Sequence, residues 1–101
     1  MYIYNVTTQL TWNIHKSWLK WMQQEHIPEV LATGCFTHHR MVRVLEIDET
    51  DGPTYAVQYF TNTLGQYQSY LQNHSAALRQ KAAESWKSEA ISFRSLMEVV
   101  H

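Results

Sequence analysis

The segment Trp18–Phe36 constrains the fold more than any other, because it combines an amphipathic helix with signals that end it. The side chains at positions 18, 21, 22 and 25 fall on one side of a helix with 3.6 residues per turn, and Ile14 extends this stripe backwards. Pro28 cannot donate a backbone hydrogen bond and disfavours helical geometry at the residue before it. We therefore expect a kink or break near residues 26–27, a short further turn, and a left-handed C-cap at Gly34.

The remainder of the chain divides into segments with strand or helix periodicity. Alternation of side chains with a period of two predicts four strands, at residues 2–9, 36–47, 54–61 and 88–99. Apolar side chains at helical spacing predict two helices, at residues 14–32 and 64–86. The stripe of the second helix comprises Leu64, Tyr67, Leu71, His74, Leu78 and Ala82. The acidic segment Asp48–Pro53 contains an Asp-Gly pair, which is typical of a hairpin between two strands.

The resulting order of elements, β-α-β-β-α-β, predicts the fold. Each helix is long enough to return the chain across a sheet, and two such crossovers give the split βαβ, or ferredoxin-like, arrangement. We expect a single α+β domain over residues 1–101, with an antiparallel four-stranded sheet and both helices on one face. Strands 1 and 3 are expected at the centre of the sheet and strands 2 and 4 at its edges.

The face of the sheet without helices is expected to be open and half apolar. It is predicted to mix the apolar side chains Ile3, Ala56, Phe60 and Leu96 with the polar side chains Asn5, Thr7, Gln58 and Arg94. Such a face is a candidate interface, and a second copy related by two-fold symmetry would cover it, so we predict a homodimer. Asn5, Gln58 and Arg94 then either hydrogen-bond across the dimer or line a polar cavity.

Composition and charge exclude several classes of partner. The net charge is −1 and the eight Lys and Arg residues are scattered, so we expect neither nucleic acid nor an anionic membrane as partner. No apolar run is long enough to cross a bilayer, and the first residues lack the pattern of a signal peptide. Cys35 is the only cysteine and cannot form an internal disulfide. We expect a soluble cytoplasmic protein.

Several motifs of this chain resemble the DUF4286 family of uncharacterised bacterial proteins. They are the strand YIYNVT, the segment HIPEVLATGCF, the strand YAVQYF and the helix motif Y-x-x-Y-L-x-x-H-x-x-A-L-R. The likeness covers almost the whole chain and places it near the dimeric α/β-barrel superfamily, which includes small monooxygenases, muconolactone isomerase-like proteins and EthD-like proteins. The resemblance implies a homodimer whose two sheets face each other, with ligands in a cleft between helices and sheet.

The same resemblance bears on the residues of a site. Several superfamily members carry a histidine two residues before a proline at the end of the first helix, and His26 and Pro28 match that pattern. Haem-degrading members use an asparagine on the first strand with a tryptophan and a histidine on the second helix. Asn5 matches the first of these, but Tyr70 and Gln80 stand near the other two positions. The resemblance therefore implies no haem, and we expect no cofactor.

Two histidines are candidates for the site. His26, at a helix end beside aromatic residues, can titrate near neutrality and act as an acid, a base or a ligand contact. The alternative is that His26 caps backbone carbonyls freed by Pro28. His74 lies one turn after Tyr70, a further candidate for the pocket, on the predicted apolar side of its helix. There His74 either meets the same cleft or is a buried histidine with one hydrogen bond.

Aromatic residues carry the same ambiguity. Trp18 and Trp21 either form a wall for a flat ligand or belong to the core, and Tyr59 shares both interpretations. No metal site is expected, because no His, Cys and Asp cluster has zinc-ligand spacing and the adjacent His38 and His39 point to opposite faces of a strand.

Two hypotheses on function remain open at this point. The first is a homodimeric barrel that binds a small, partly aromatic or apolar molecule near His26, Trp21, Tyr59 and His74, with cofactor-free proton transfer or oxygenation. The second is a non-catalytic interaction or regulatory protein that docks a protein partner. A pocket of a few hundred Å³ with His26 at its wall favours the first hypothesis, and a filled core there favours the second.

Overall fold

A computed structural model describes residues 1–101 and contains one sheet covered by helices on one side. The strands are β1 (Tyr2–Leu10), β2 (His38–Arg43), β3 (Thr54–Thr61) and β4 (Ala90–Glu98). Between β1 and β2 lie helices α1 (His15–Trp21) and α2 (Ile27–Ala32), and between β3 and β4 lie α3 (Leu64–Tyr70) and α4 (Ala76–Trp86). Short 3₁₀ turns at Trp12–Ile14 and Lys87–Glu89 connect strands to helices.

The order of the strands in the sheet is β2-β3-β1-β4, and every neighbouring pair is antiparallel. Tyr4, at the middle of β1, lies opposite Tyr59 on β3 and Leu96 on β4. The predicted ferredoxin-like α+β fold, with β1 and β3 at the centre, is confirmed.

Each helical crossover contains a π-helical turn, which the sequence analysis did not anticipate. Met22–His26 joins α1 to α2, and Leu71–Ser75 joins α3 to α4. Helical geometry continues through Ile27, with φ −59° and ψ −46°, where a kink or break is predicted. The predicted break is therefore wrong, but the change of helix geometry falls at the predicted place, because the π turn ends at His26 and such turns are a common cause of kinks. Pro28 then occupies the first turn of α2.

The π turns change which side chains reach the core. Met22 and Ile27 are both buried, as are Tyr70 and Ser75, and each pair is separated by the five-residue step of a π turn. A count of 3.6 residues per turn fails at these steps. The predicted stripe therefore includes residues that lie at the surface: Glu25, Leu64 and Leu71.

The connection between β2 and β3 is longer than the predicted hairpin. It spans residues 44–53 and folds back on the end of β1, where the Leu10 amide donates to the Pro53 carbonyl at 3.0 Å. A Cβ atom at Gly52, which has φ +156°, would lie 1.8 Å from the Leu10 carbonyl oxygen. Gly52 of the Asp-Gly pair thus allows the connection to pack closely against the backbone of Leu10, and the pair does not form a two-residue turn. The predicted left-handed conformation at Gly34 is confirmed by its φ of +76°.

The core lies between the helices and the sheet and is rich in aromatic rings. Tyr4 stands at its centre, with ring centroids 6.1 Å from Tyr59 and 6.0 Å from Phe36. Phe36 contacts Tyr70 edge-on, with centroids 5.0 Å apart. Aromatic pairs of this kind contribute about 0.5–1.5 kcal/mol each beyond the area that they bury. These rings tie α3 to the central strands.

The opposite face of the sheet, called the open face below, has no helix over it. Ile3, Asn5, Ala56, Gln58 and Phe60 lie there as predicted. Arg94 and Leu96 do not, because Arg94 pairs with Val6 and Leu96 pairs with Tyr4, and the side chains of Val6 and Tyr4 face the helices. The positions predicted for Arg94 and Leu96 are wrong. The apolar residues that β4 places on the open face are Ile91, Phe93 and Met97.

Candidate ligand-binding cleft

A cleft of about 310 Å³ lies between the helices and the sheet. Strands β1, β3 and β4 form its floor, with Tyr4, Val57 and Tyr59 at the centre. The first crossover and α4 form its two walls. Thirteen of its 19 lining residues are hydrophobic, which is the composition of a site for a small organic molecule.

The structure brings five of the six predicted pocket residues to this cleft: Trp18, Trp21, His26, Tyr59 and Tyr70. Trp18 is also part of the core, being 3% exposed, so the two interpretations of its role coincide. His74 does not line the cleft, and its ring lies 6.3 Å from that of Tyr70. The π turn at Leu71–Ser75 explains this error, since it moves Ser75 rather than His74 to the buried side.

His26 ends the first π turn and projects into the cleft. Its ring stacks on Trp21, with centroids 4.7 Å apart and an interplanar angle of 22°. Its Nδ1 atom is buried and has no hydrogen-bond partner, and its side chain makes no capping bond. The interpretation of His26 as a cap for carbonyls freed by Pro28 is therefore wrong.

The surroundings of His26 keep its imidazole neutral. Burial lowers its pKa from 6.5 to about 4, and the positive charges of Arg94 and Lys81 act in the same direction. Glu29 opposes this shift but does not cancel it. At pH 7 the side chain is therefore uncharged and able to accept a proton or a hydrogen bond.

Three buried side-chain polar atoms in the protein have no hydrogen-bond partner: His26 Nδ1, Tyr59 OH and Trp86 Nε1. All three residues line this one cleft. A buried group without a partner costs about 1–3 kcal/mol of stability, so folded proteins contain few of them. Their convergence on a single cavity indicates a place prepared for polar atoms from outside the chain.

The sequence analysis missed several residues of the cleft, of which Trp86 is the most informative. Trp86 ends α4, and its ring meets Trp21 edge-on with centroids 5.6 Å apart. Arg79, Ala82 and Trp86 lie at helical spacing along the wall. A count that starts from the buried Ser75, after the five-residue step from Tyr70, leads to these positions. Arg94 reaches the cleft from β4 instead of the open face.

Asn5 and Gln58, the remaining predicted candidates, lie opposite each other on the open face and do not reach the cleft. The Asn5 side-chain amide donates to Thr7 Oγ1 at 2.9 Å and to Ser95 Oγ at 3.5 Å. Neither Asn5 nor Gln58 lines a cavity on that side. Of the two alternatives for these residues, an interface fits this placement better than a polar cavity.

The structure contains neither a metal-binding cluster nor a membrane-spanning helix. The structure contains no group of three or more His, Cys, Asp or Glu side chains arranged to hold a metal ion. None of the helices combines the length and the apolar composition that a membrane crossing requires. The helix–sheet cleft therefore carries the functional argument.

Comparison with known proteins supports the fold. A family model described as "Domain of unknown function (DUF4286)" matches residues 1–100. SnoaB, a cofactor-independent oxygenase from Streptomyces nogalater, has a similar structure in a mutant form, with a TM-score of 0.66, 11% identity and coverage of 99% of this chain and 94% of that one. No functionally curated protein matches the sequence.

A second similar structure is an ethyl tert-butyl ether D (EthD) family protein from Bacillus halodurans. It has a TM-score of 0.69 and 10% identity, with coverage of 99% of this chain and 100% of that one. At these identities the likeness shows the fold alone.

Proposed function

The chain belongs to the DUF4286 family, and from the geometry of its cleft we propose that it is a homodimer that binds a small, flat, partly aromatic or apolar molecule between helices and sheet. The observation that carries this proposal is the convergence of all three unpartnered buried polar atoms on one cavity. Its volume of about 310 Å³ suits a molecule of two or three fused rings.

The aromatic side chains in the walls of the cleft favour a flat ligand. Trp21 and Trp86 both line the cavity, and the planes of their indole rings meet at 72°. A flat ring system can stack on the surface of the first while accepting a hydrogen bond from the N–H group of the second. His26, stacked on Trp21, supplies an acceptor from the same wall.

A test of binding uses 2-naphthamide, a neutral two-ring probe, with tryptophan fluorescence and calorimetry as readouts. In the Ala82→Trp variant an indole fills the cleft, and we expect affinity for the probe to fall more than tenfold. The matched control is Ala77→Trp, because Ala77 is exposed on the same helix and does not line the cleft. Absence of probe binding by the unmodified protein, or equal binding by both variants, would contradict the proposal.

The open face supports the homodimer. Ile91 and Phe93 are 61% and 64% exposed there, although large apolar side chains are normally covered. Four strands at a spacing of about 4.8 Å and roughly eight residues long give a face of about 19 by 26 Å, or about 500 Å², which is more than half of the roughly 800 Å² per subunit that a stable interface buries. A two-fold axis through this face pairs each apolar patch with its own copy.

Cofactor-free proton transfer is a second candidate function, because the unpartnered His26 is uncharged at pH 7 and can accept a proton, although a pKa of about 4 makes it a weaker base than an exposed histidine. In this proposal the imidazole takes a proton from an acidic C–H bond of the ligand, which leaves an enolate, and the imidazolium later returns a proton. The fold is shared with SnoaB, described as a cofactor-independent oxygenase, and this likeness suggests the class of chemistry to test.

The test for proton transfer follows deuterium incorporation into 2-tetralone, a flat ketone with acidic C–H bonds, by NMR in D₂O. We expect the unmodified protein to accelerate exchange and the His26→Gln variant to lose about 100-fold of that acceleration. His39→Gln, which changes an exposed histidine outside the cleft, is the control. Equal exchange rates for the protein and the His26→Gln variant would leave ligand binding as the function of the cleft.

A further inference from the structure

The charged side chains that line the cleft are all positive. Arg79, Lys87 and Arg94 are among the lining residues, and no aspartate or glutamate is. The chain as a whole has eight Lys and Arg and nine Asp and Glu, with a net charge of −1. Three of the eight basic residues line the cleft, and none of the nine acidic residues does. The cleft is therefore positively charged, although the whole protein has a net charge of −1.

The two arginines approach the cleft from different elements. Arg79 extends from α4, and its Nη2 donates a long hydrogen bond of 3.4 Å to the Tyr4 hydroxyl. Arg94 extends from β4 on the floor. Burial raises the pKa of the Tyr70 hydroxyl, and both guanidinium groups oppose that rise, so both positive charges lie near this ring.

Neither arginine is neutralised by a carboxylate. The two salt bridges of the protein are Arg43–Glu49 and Lys81–Glu29, and neither involves a residue of the cleft. A guanidinium group offers five N–H donors in a flat fork that matches a carboxylate. Most of those donors on Arg79 and Arg94 have no acceptor within the protein.

Two of the three unpartnered groups of the cleft, Trp86 Nε1 and Tyr59 OH, are donors as well. The indole N–H of Trp86 can only donate a hydrogen bond. Burial raises the pKa of the Tyr59 hydroxyl, which therefore keeps its proton and can donate it to an acceptor. A ligand that satisfies this set must be rich in acceptor oxygens.

We propose that the ligand of this cleft is an anion, a flat ring system that carries a carboxylate held between Arg79 and Arg94 at the mouth. This inference rests on the proposed small-molecule binding and adds the chemical class of the ligand. The apolar body then lies against Trp21 and the floor, and ring oxygens of the ligand accept from Trp86 Nε1 and Tyr59 OH.

The test compares naphthalene-2-carboxylate with its neutral isostere 2-naphthamide on the unmodified protein at low salt. The two probes have the same ring system and differ in charge. We expect the carboxylate to bind about tenfold more tightly, because charge-assisted hydrogen bonds to arginine are stronger than neutral ones. The preference is expected to shrink as sodium chloride is raised, since the arginines are at the solvent-facing mouth.

Variants locate the source of the preference. Arg79→Met and Arg94→Met are each expected to lower the affinity for the carboxylate several-fold more than the affinity for the amide, and so to reduce the carboxylate preference. Arg94→Lys keeps the charge and is expected to retain part of the preference. Arg43→Met, which removes an arginine outside the cleft, should leave both affinities unchanged.

The outcomes separate this inference from the proposal beneath it. Equal affinity for the two probes overturns the anionic ligand and leaves small-molecule binding intact. A preference for the carboxylate that survives both arginine-to-methionine changes also overturns it. Failure of both probes to bind overturns the binding function and this inference together.

Discussion

The two faces of the sheet lack different kinds of partner. On the side covered by helices the apolar residues are packed, but three polar atoms have no hydrogen-bond partner. On the open face the polar Asn5 is bonded to Thr7 and Ser95, while Ile91 and Phe93 are exposed. One face has its apolar contacts and lacks polar ones, and the other has its polar contacts and lacks apolar ones.

This difference indicates what kind of partner would complete each face. Missing hydrogen bonds inside a cavity of about 310 Å³ are completed by a small molecule with acceptor atoms. Missing apolar cover over a broad, flat face requires another large surface, and a second copy of the chain provides one. The following predictions change one face at a time.

The largest effect is expected for Phe93→Glu on the open face. Phe93 is 64% exposed in the single subunit, and in the proposed dimer its replacement places two carboxylates in an apolar interface. We expect the dissociation constant of the dimer to rise more than about 100-fold, measured by native mass spectrometry over a concentration series. Leu45→Glu, at a loop position that is 73% exposed, is the control. A monomeric unmodified protein at micromolar concentration would remove the dimer from the argument.

The next largest effect is a loss of stability at low pH, caused by His26 on the face covered by helices. The pKa of His26 is about 4 in the folded protein and 6.5 in the unfolded chain. Below pH 6.5 the unfolded chain therefore binds a proton that the folded protein does not, and stability falls as the pH drops towards 4. The loss attributable to His26 reaches about 3 kcal/mol.

Urea unfolding at pH 7.5 and pH 4.5, at one fixed protein concentration, measures this loss. We expect the His26→Phe variant, which keeps a ring against Trp21, to lose about 2–3 kcal/mol less than the unmodified protein between these pH values. His39→Gln, which removes an exposed histidine outside the cleft, is the control. Parallel pH profiles for the protein and the His26→Phe variant would show that His26 is not desolvated.

The smallest expected effect is a difference in the free energy of unfolding between variants at two tryptophans, Trp86 and Trp12. The Trp86 indole N–H has no partner, whereas the Trp12 indole N–H donates to the Glu49 carbonyl at 2.9 Å. Trp86→Phe is expected to leave the free energy of unfolding unchanged or raise it by about 1 kcal/mol, and Trp12→Phe to lower it by about 1 kcal/mol. The same Trp86→Phe protein should bind 2-naphthamide less tightly. Stability lost in both variants alike would mean that Trp86 is satisfied in the folded protein.

The sequence predicts the order of elements well because strand and helix periods differ clearly at residues 2–9, 14–32 and 54–61. Two features escaped it for physical reasons. No residue type marks a π turn, so the phase of each helix after residues 22–26 and 71–75 could be known only from the spacing of apolar residues such as Met22 and Ile27. The face of Arg94 depended on the register of β4, where a shift of one residue exchanges the two faces.

The candidate site was predictable in part. His26, Trp21 and Tyr59 were found because aromatic residues and a histidine cluster at a helix end and on a central strand. Trp86 and Arg79 were not, because their distance from those residues along the chain is large and only the fold brings them together. His74 was included because its helix was counted with a constant period.

The π turns also determine how the gene of such a protein can change length. A helix with a π turn holds one residue more than an α-helix of the same hydrogen-bonded span, so deleting one codon within residues 22–26 restores the α-helical pattern. Five residues of the π turn and four residues of an α-helix make the same step, so Met22 and Ile27 stay on the buried side with or without the extra residue. When relatives are aligned, a gap of one residue inside either helix is therefore compatible with the same cleft, provided that the lining side chains are retained.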